Sequence, residues 1–253
     1  MTVYELYTAL NEKIPPALSC EWDNDGMMCV PDPNRTVRRI LVALDATQAA
    51  EDAARAGNYD VILTHHPLIF KGVRHLTPDE PVSARLLRLA SDGISVLSFH
   101  TRLDAVAGGV NDTLAALFGL HDTIPFGECD IGRVGTLAAP MDAETFAGQV
   151  KRLLGAPFVL LADAGVPVCR VAVMGGEGGD DVEAAKAAGA DTYLSGRLGY
   201  HTMTDAPEGG MNLIEAGHFY TENPVCATLQ RMVKEIAPDL ACDLFFSGNI
   251  RAL

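Results

Sequence analysis

The chain has 253 residues and a mass of 26.9 kDa, and 48% of its residues are hydrophobic and 21% charged. This length suits one large domain or two modest ones, and the composition excludes a disordered, collagen-like or disulfide-scaffold chain. The net charge of −14 would repel phosphate backbones, which makes nucleic acid an unlikely partner.

Signals for a membrane or for secretion are not found in the sequence. The longest apolar runs fall far short of the roughly 20 residues that a membrane span requires. Residues 1–5 provide neither the basic nor the apolar part of a secretion signal. The six cysteines are scattered without a C-x-x-C pair, which is typical of reduced core thiols. We therefore expect a cytoplasmic protein without a membrane partner.

Strand-like and helix-like segments alternate through the first half of the chain. Short apolar runs predict strands at residues 39–44, 61–63 and 94–99. Helices are predicted between and after them, at residues 46–57, 81–90 and 108–118. Strands joined by helices of this length indicate a mostly parallel sheet with covered faces.

The same alternation resumes after Pro125-Phe126-Gly127. Strands are predicted at residues 131–138, 158–161, 168–174, 192–194 and 211–214, and helices at residues 142–154, 180–188 and 222–236. The sequence thus predicts an α/β fold of two α/β lobes with mostly parallel sheets, residues 1–126 and 127–253. A last strand at residues 243–246 fits either lobe.

Two histidines directly follow a predicted strand in Leu63-Thr64-His65-His66-Pro67. The carboxyl ends of strands are where open α/β sheets bind ligands. Because neighbouring residues of extended backbone point to opposite sides, we expect His65 and His66 to serve different ions of a close pair, or one to be a ligand and the other a base. The alternative is a pair of strand-end histidines satisfied by hydrogen bonds.

Two further strand ends carry groups of the same chemical type. His100 and Asp104 follow the strand at residues 94–99, and Asp104 adds a carboxylate that can bridge two cations. His218 and Glu222 follow the strand at residues 211–214, and their spacing of four places them on one face of a helical turn. Taken singly, Asp104 is equally suited to cap a helix, and His218 to pack against a helix N-terminus.

Together these strand ends supply several imidazoles and two carboxylates. Such a set fits two divalent ions about 3.5–4 Å apart. Mixed nitrogen and oxygen ligands favour zinc, iron, manganese or nickel over calcium or magnesium. The sequence therefore predicts a dinuclear metal site.

Six motifs along the chain resemble, in their order, those of one protein family. They are Glu21-Trp22-Asp23-Asn24-Asp25-Gly26, Leu44-Asp45-Ala46-Thr47, Thr64-His65-His66-Pro67-Leu68-Ile69-Phe70, His100-Thr101-Arg102-Leu103-Asp104, Gly109-Val110-Asn111-Asp112 and Gly217-His218-Phe219-Tyr220-Thr221-Glu222. The chain resembles the Nif-three-like proteins, known as GTP cyclohydrolase 1 type 2 homologs or dinuclear metal centre, hexameric proteins. The resemblance implies a two-lobed subunit with a two-metal site between the lobes, and a toroidal homohexamer.

The resemblance also implies roles for individual residues. The metal ligands implied by it are His65, His66, Asp104, His218 and Glu222. Two more histidines would be additional ligands or proton carriers, and these are His100 and His201. The chain departs from the family pattern at Arg102 and Arg197, which implies extra positive charge beside the site.

Two other features allow a ligand-binding interpretation. The glycine-rich residues 175–179 follow a predicted strand and could hold a phosphate with backbone N–H groups, although most such turns only permit a tight bend. Trp22 could stack on a base, although a sole tryptophan is more often a packing residue.

The main hypothesis is a metal-dependent hydrolase of a nucleotide or related heterocycle. The resemblance implies GTP as the substrate, with opening of the guanine imidazole ring and loss of formate. Arg102, Arg133 or Arg197 would then offset the triphosphate charge. Phosphoester hydrolysis on the same two ions is equally compatible with the sequence. The alternative from another class is a hexameric metal-binding or adaptor protein without catalysis.

Overall fold

The computed structural model describes residues 1–250, which form eleven strands and ten α-helices within that range. The strands are β1 (Gly26–Cys29), β2 (Arg39–Ala43), β3 (Val61–Thr64), β4 (Ser95–Ser98), β5 (His121–Phe126), β6 (Gly132–Met141), β7 (Leu160–Ala162), β8 (Val168–Glu177), β9 (Thr192–Arg197), β10 (Asn212–Glu215) and β11 (Ala241–Leu244). The helices are α1 (Val3–Lys13), α2 (Gln48–Ala56), α3 (Pro81–Asp92), α4 (Thr101–Ala105), α5 (Val110–Leu117), α6 (Ala143–Leu154), α7 (Val182–Ala187), α8 (Tyr200–Asp205), α9 (His218–Glu222) and α10 (Val225–Ile236). Every helix in this range is too short or too polar to cross a membrane.

These elements form two compact units. The first comprises Met1–Leu103 and Val225–Asn249, and the second comprises Asp104–Pro224 and, of the described residues, Ile250. The division therefore lies within α4, whereas the sequence predicted a boundary near residue 126. It lies earlier because α5 buries Leu114 and Ala115 in the same apolar cluster as Phe146 of α6 and Val171 of β8.

The first unit contains a five-stranded sheet in the order β1-β4-β3-β2-β11. Four of its strands run parallel, and only the edge strand β1 is antiparallel to its neighbour. The predicted mostly parallel sheet is thus confirmed in this unit. The last strand of the chain, which the sequence left unassigned, pairs with β2 through Ala241 and Arg39.

The helices of the first unit begin and end at the residues that favour such positions. Thr2 and Glu5 form a capping box at the start of α1, and the side chain of Thr47 caps α2. α3 begins with a proline and ends at Gly93, whose φ of 69° is the left-handed conformation that glycine adopts at low cost. Of these helices, α2 and α3 pack apolar side chains against Ile62 and Val96 of the sheet.

The second unit contains a six-stranded sheet in the order β5-β6-β8-β9-β10-β7. β8, β9 and β10 run parallel to one another, whereas β6 is antiparallel to β8, β5 to β6 and β7 to β10. This sheet is therefore mixed rather than mostly parallel. Asp142 caps the start of α6, since its carboxylate accepts a hydrogen bond from the backbone N–H of Thr145 at 2.8 Å.

The predicted helix at residues 222–236 is present as α10 but begins three residues later, and Glu222 belongs to the preceding helix, α9. α9 ends at Glu222, and α10 begins at Val225. Pro224 lies between them and has no N–H to donate to the carbonyl four residues earlier, so the first helix cannot continue through it. As a result, Glu222 lies on the same short helical turn as His218.

Candidate metal centre

Three histidines of the first unit come together at the carboxyl ends of β3 and β4. His65 and His66 follow Thr64, the last residue of β3, and His100 follows β4 by two residues. The ring centroids are 4.9 Å apart for His65 and His66, 5.2 Å for His65 and His100, and 5.7 Å for His66 and His100. Each ring offers a nitrogen within 4.8 Å of the other two, so this histidine cluster can hold a metal ion.

The sequence predicted that His65 and His66 would lie in extended backbone and point to opposite sides. In the structure the backbone bends at these two residues. β3 ends at Thr64, and residues 65 and 66 form a bend. The hydroxyl of Thr64 donates to the carbonyl of His66 at 2.9 Å and also lies 2.7 Å from the hydroxyl of Ser98. The expectation that His65 and His66 point to opposite sides therefore does not hold.

Each ring of the histidine cluster has its Nδ1 beside a hydrogen-bond acceptor. The acceptor is the backbone carbonyl of Phe99 for His65 (2.9 Å), Asp45 for His66 (2.7 Å) and Asp23 for His100 (2.8 Å). A carbonyl or carboxylate oxygen can only accept here, so Nδ1 carries the hydrogen in the neutral ring and Nε2 carries the lone pair. This is the tautomer that metal-binding histidines adopt when a second group orients them.

Asp23 is the most constrained of these acceptors. Its buried carboxylate also accepts hydrogen bonds from the backbone N–H of Thr101 at 3.0 Å and from the Thr101 hydroxyl at 2.6 Å. Burial alone would raise the pKa of Asp23, but the hydrogen bonds from His100 and Thr101 outweigh it and hold the pKa well below its usual range. Asp23 is therefore a charged, fixed acceptor for His100.

In the second unit, α9 brings His218 and Glu222 together as their spacing predicted. Nε2 of His218 lies 3.0 Å from Oε2 of Glu222. Asp104 and Glu222 are both buried, and each has a carboxylate oxygen within 4.8 Å of the other's. Two buried carboxylates at this separation repel each other when both are ionised, so a divalent cation would stabilise them.

Glycines at the ends of β8 and β9 allow α9 to approach the sheet closely. A Cβ on Gly176 would overlap the Glu222 carboxylate, and the residue has a φ of +72°. A Cβ on Gly196 would lie 2.7 Å from the Cα of His218. The backbone N–H groups of Gly175, Gly176 and Gly178 donate within the fold, to Asn111, Thr221 and Arg197. The glycine-rich segment thus serves close packing, and these three N–H groups do not cradle a phosphate.

Two of the three arginines considered for offsetting substrate charge are buried in ion pairs. Nε of Arg102 lies 2.8 Å from Asp25, and Nε of Arg133 lies 2.5 Å from Asp112. Neither side chain adds free positive charge to a site, contrary to the expectation for Arg102. The third is exposed, and it is Arg197.

Trp22 lies against the histidine cluster, whereas His201 lies on α8. The half-exposed Trp22 ring meets His100 edge-to-face at 6.3 Å, and Phe70 meets the same histidine at 6.0 Å. His201 lies on α8, and its ring contacts Tyr200 at 5.6 Å. Within residues 1–250, His201 belongs to none of the clusters of candidate ligands.

Sequence reasoning missed the two carboxylates that orient the histidines. Asp45 follows β2, so the same strand-end argument that identified the histidines would have found it. Asp23 precedes β1 in a loop, and only its place in the motif at residues 21–26 marks it. The five ligands implied by the resemblance divide between the units: His65 and His66 belong to the first, and Asp104, His218 and Glu222 to the second.

Comparisons with known proteins agree over nearly the whole chain. The family model Duf34/NIF3 (NGG1p interacting factor 3) matches residues 1–251. A protein of Clostridium perfringens named GTP cyclohydrolase 1 type 2 homolog is 33% identical over 93% of this chain and 92% of its own. The NIF3 homolog of Schizosaccharomyces pombe is 31% identical over 82% and 80%. The crystal structure of a Bacillus cereus protein related to NIF3 shares the fold, with a TM-score of 0.90, 21% identity and coverage of 100% and 99%.

Proposed function

The chain belongs to the Duf34/NIF3 family, and we propose on that premise that it is a metal-dependent hydrolase of a nucleotide or related heterocycle. The reaction proposed is that of GTP cyclohydrolase 1 type 2, the activity from which the bacterial relatives take their names. Two divalent ions per subunit, of zinc, iron, manganese or nickel, would be held by His65, His66, Asp104, His218 and Glu222. His100 and His201 would be additional ligands or proton carriers.

The observation that carries this proposal is the histidine cluster, in which every Nδ1 faces an acceptor. Three imidazoles that are oriented in this way present three Nε2 lone pairs within a few ångströms of each other. Nitrogen donors of this kind suit zinc, iron and nickel, and carboxylates extend the set to manganese. When bound, such ions supply Lewis acidity and activate water for attack.

The residues around His100 suit it for proton transfer. Asp23 fixes the ring and balances the positive charge that appears when Nε2 accepts a proton. Trp22 and Phe70 cover the edges of the same ring and restrict access of water to it. His201 is exposed on α8, so its role as a second proton carrier depends on a bound substrate.

Metal content and turnover, measured on the same samples, test the proposal. We expect the purified protein to contain divalent ions and to release formate from GTP. We expect His201→Gln to lose turnover while it retains its metal, and His65→Gln to lose metal. We expect His100→Gln to lose turnover and to bind metal more weakly. Exposed His121→Gln is the matched control and should leave both unchanged. Metal without turnover on GTP, other nucleotides or phosphodiesters would exclude the hydrolase and leave a metal-binding role, and metal-free protein would exclude both.

We also propose that the protein is a homohexamer located in the cytoplasm. The assembly rests on the family resemblance, and light scattering should give about six times the 26.9 kDa chain mass. The six cysteines lie within residues 1–250 and form no disulfide there, which suits a reducing compartment.

A further inference from the structure

A cavity of about 450 Å³ opens in the second unit beside the ends of β9 and β10. The side chains that line it include Arg197, Tyr200, Glu215 and His218, together with the apolar Leu160 and Met203. Its volume falls in the range of roughly 300–1,000 Å³ that small-molecule sites occupy. Because His218 is one of the proposed metal ligands, a molecule in this cavity would lie next to that ligand.

Arg197 is the cation of this cavity, and its present ion pair is weak. Its side chain is 67% exposed, and its partner Glu177, 3.5 Å away, is exposed as well. Ion pairs between exposed side chains contribute little to stability because water screens them. The guanidinium can therefore exchange Glu177 for a ligand phosphate at small cost, and its fork of N–H donors matches phosphate oxygens.

Tyr200 presents an aromatic ring on the same wall. It is 78% exposed, and within residues 1–250 the described ring contact is with His201, which follows it in α8. An aromatic face left in water beside a cavity is suited to stack on a planar heterocycle.

The segment that joins Arg197 to Tyr200 is fixed by Glu215. One oxygen of the Glu215 carboxylate accepts hydrogen bonds from the backbone N–H of Leu198 at 2.7 Å and of Gly199 at 3.3 Å. These hydrogen bonds partly compensate the negative charge of Glu215 and fix the backbone of the turn that precedes α8. The cation and the ring are thus attached to an ordered backbone, which lowers the entropy that ligand binding would cost.

We infer that Arg197 and Tyr200 recognise the substrate: Arg197 binds its phosphate and Tyr200 stacks on its planar ring. The ligand class is a phosphorylated aromatic heterocycle. This inference rests on the proposed function, since it assigns substrate recognition to that site. Of the three arginines considered for the phosphate, we choose Arg197, because Arg102 and Arg133 are held in buried ion pairs.

Calorimetric titration of the purified protein with GTP, tripolyphosphate and guanosine separates the two contacts. We expect Arg197→Gln to weaken binding of GTP and tripolyphosphate by roughly 10- to 100-fold and to leave guanosine binding unchanged. We expect Tyr200→Ala to weaken GTP and guanosine by about tenfold and to leave tripolyphosphate unchanged. Because Glu177 competes for the same guanidinium, Glu177→Gln should strengthen binding of GTP.

The matched control is Arg152→Gln, which removes an exposed arginine of the same unit that does not line the cavity and should leave every affinity unchanged. The substituted side chains are exposed, so melting temperatures should stay at the wild-type value. Unchanged GTP affinity in both Arg197→Gln and Tyr200→Ala, or a wild-type protein that binds none of the probes, would overturn the inference. Metal content and formate release from the same samples report separately on the proposed function, which fails if these are absent while the pattern of affinities holds.

Discussion

The hydrogen bonds from His66 and His100 to carboxylates predict a graded loss of metal affinity when each carboxylate is neutralised. Asp45→Asn and Asp23→Asn keep the size of the side chain and remove the charge that fixes the Nδ1–H tautomer. Loss of such an orienting group costs about 10- to 100-fold in metal affinity, or roughly 1.4–2.7 kcal/mol. The two variants should fall at different ends of that range.

The solvent exposure of each aspartate side chain determines which variant loses more metal affinity. The Asp45 side chain is 37% exposed, so water already screens its interaction with His66, and we expect a loss of about tenfold. The Asp23 side chain is 0% exposed, and we expect a loss nearer 100-fold for its substitution. Asp23→Asn should also destabilise the fold, because the backbone N–H and the hydroxyl of Thr101 would no longer donate to a charged acceptor.

Competition with a chromophoric chelator for Zn²⁺ measures these affinities directly. Asp52→Asn, at an exposed position on α2, is the control and should bind as the wild type does. Wild-type affinity in both variants, with the fold intact by circular dichroism, would refute the assignment of the histidine cluster as a metal-binding group. A larger loss for Asp45→Asn than for Asp23→Asn would refute the argument from exposure.

Three further substitutions or reactions test the structural assignments. Arg102→Met should lower the free energy of unfolding in urea by about 3–5 kcal/mol, because it leaves the buried Asp25 carboxylate unpaired; a loss below 1 kcal/mol would contradict the ion pair. Gly176→Ala should cost about 1–3 kcal/mol more than Gly108→Ala, since both have positive φ but only the first would press a Cβ onto α9; equal losses would contradict the crowding. Burial raises the pKa of Cys242 to about 11, so iodoacetamide at pH 8 should modify this thiol only after unfolding; rapid modification of the native protein would contradict its burial.

The parallel strands of the first unit were predictable because their burial on both faces shows in the sequence. β2, β3 and β4 have almost no exposed side chain. Strands that are buried on both faces appear in a sequence as short, largely apolar runs, without the alternation of apolar and polar residues that marks a half-exposed strand. α1 was missed although its signals are present. Thr2 and Glu5 form a capping box there, and the buried residues recur at helical spacing.

β5 and the division of the chain were not predictable by the same means. β5 exposes every side chain except that of Phe126 and contains a proline, so its strand conformation depends on pairing with β6. The division within α4 follows from which apolar cluster buries α5, and an amphipathic pattern does not say which sheet it will cover.

The histidines and Asp45 follow strands and were predictable from that position, whereas Asp23 and the acceptor for His65 do not carry that signal. A ligand must be an imidazole or carboxylate at a strand end, and both requirements are visible in the sequence. An acceptor needs only an oxygen atom at the right place: for His65 it is the backbone carbonyl of Phe99, which any residue could supply. The three imidazoles are therefore inequivalent, since His65 is oriented by a neutral group and the other two by carboxylates. Substitution can retune only His66 and His100 through their acceptors, which makes these two rings the adjustable part of the cluster.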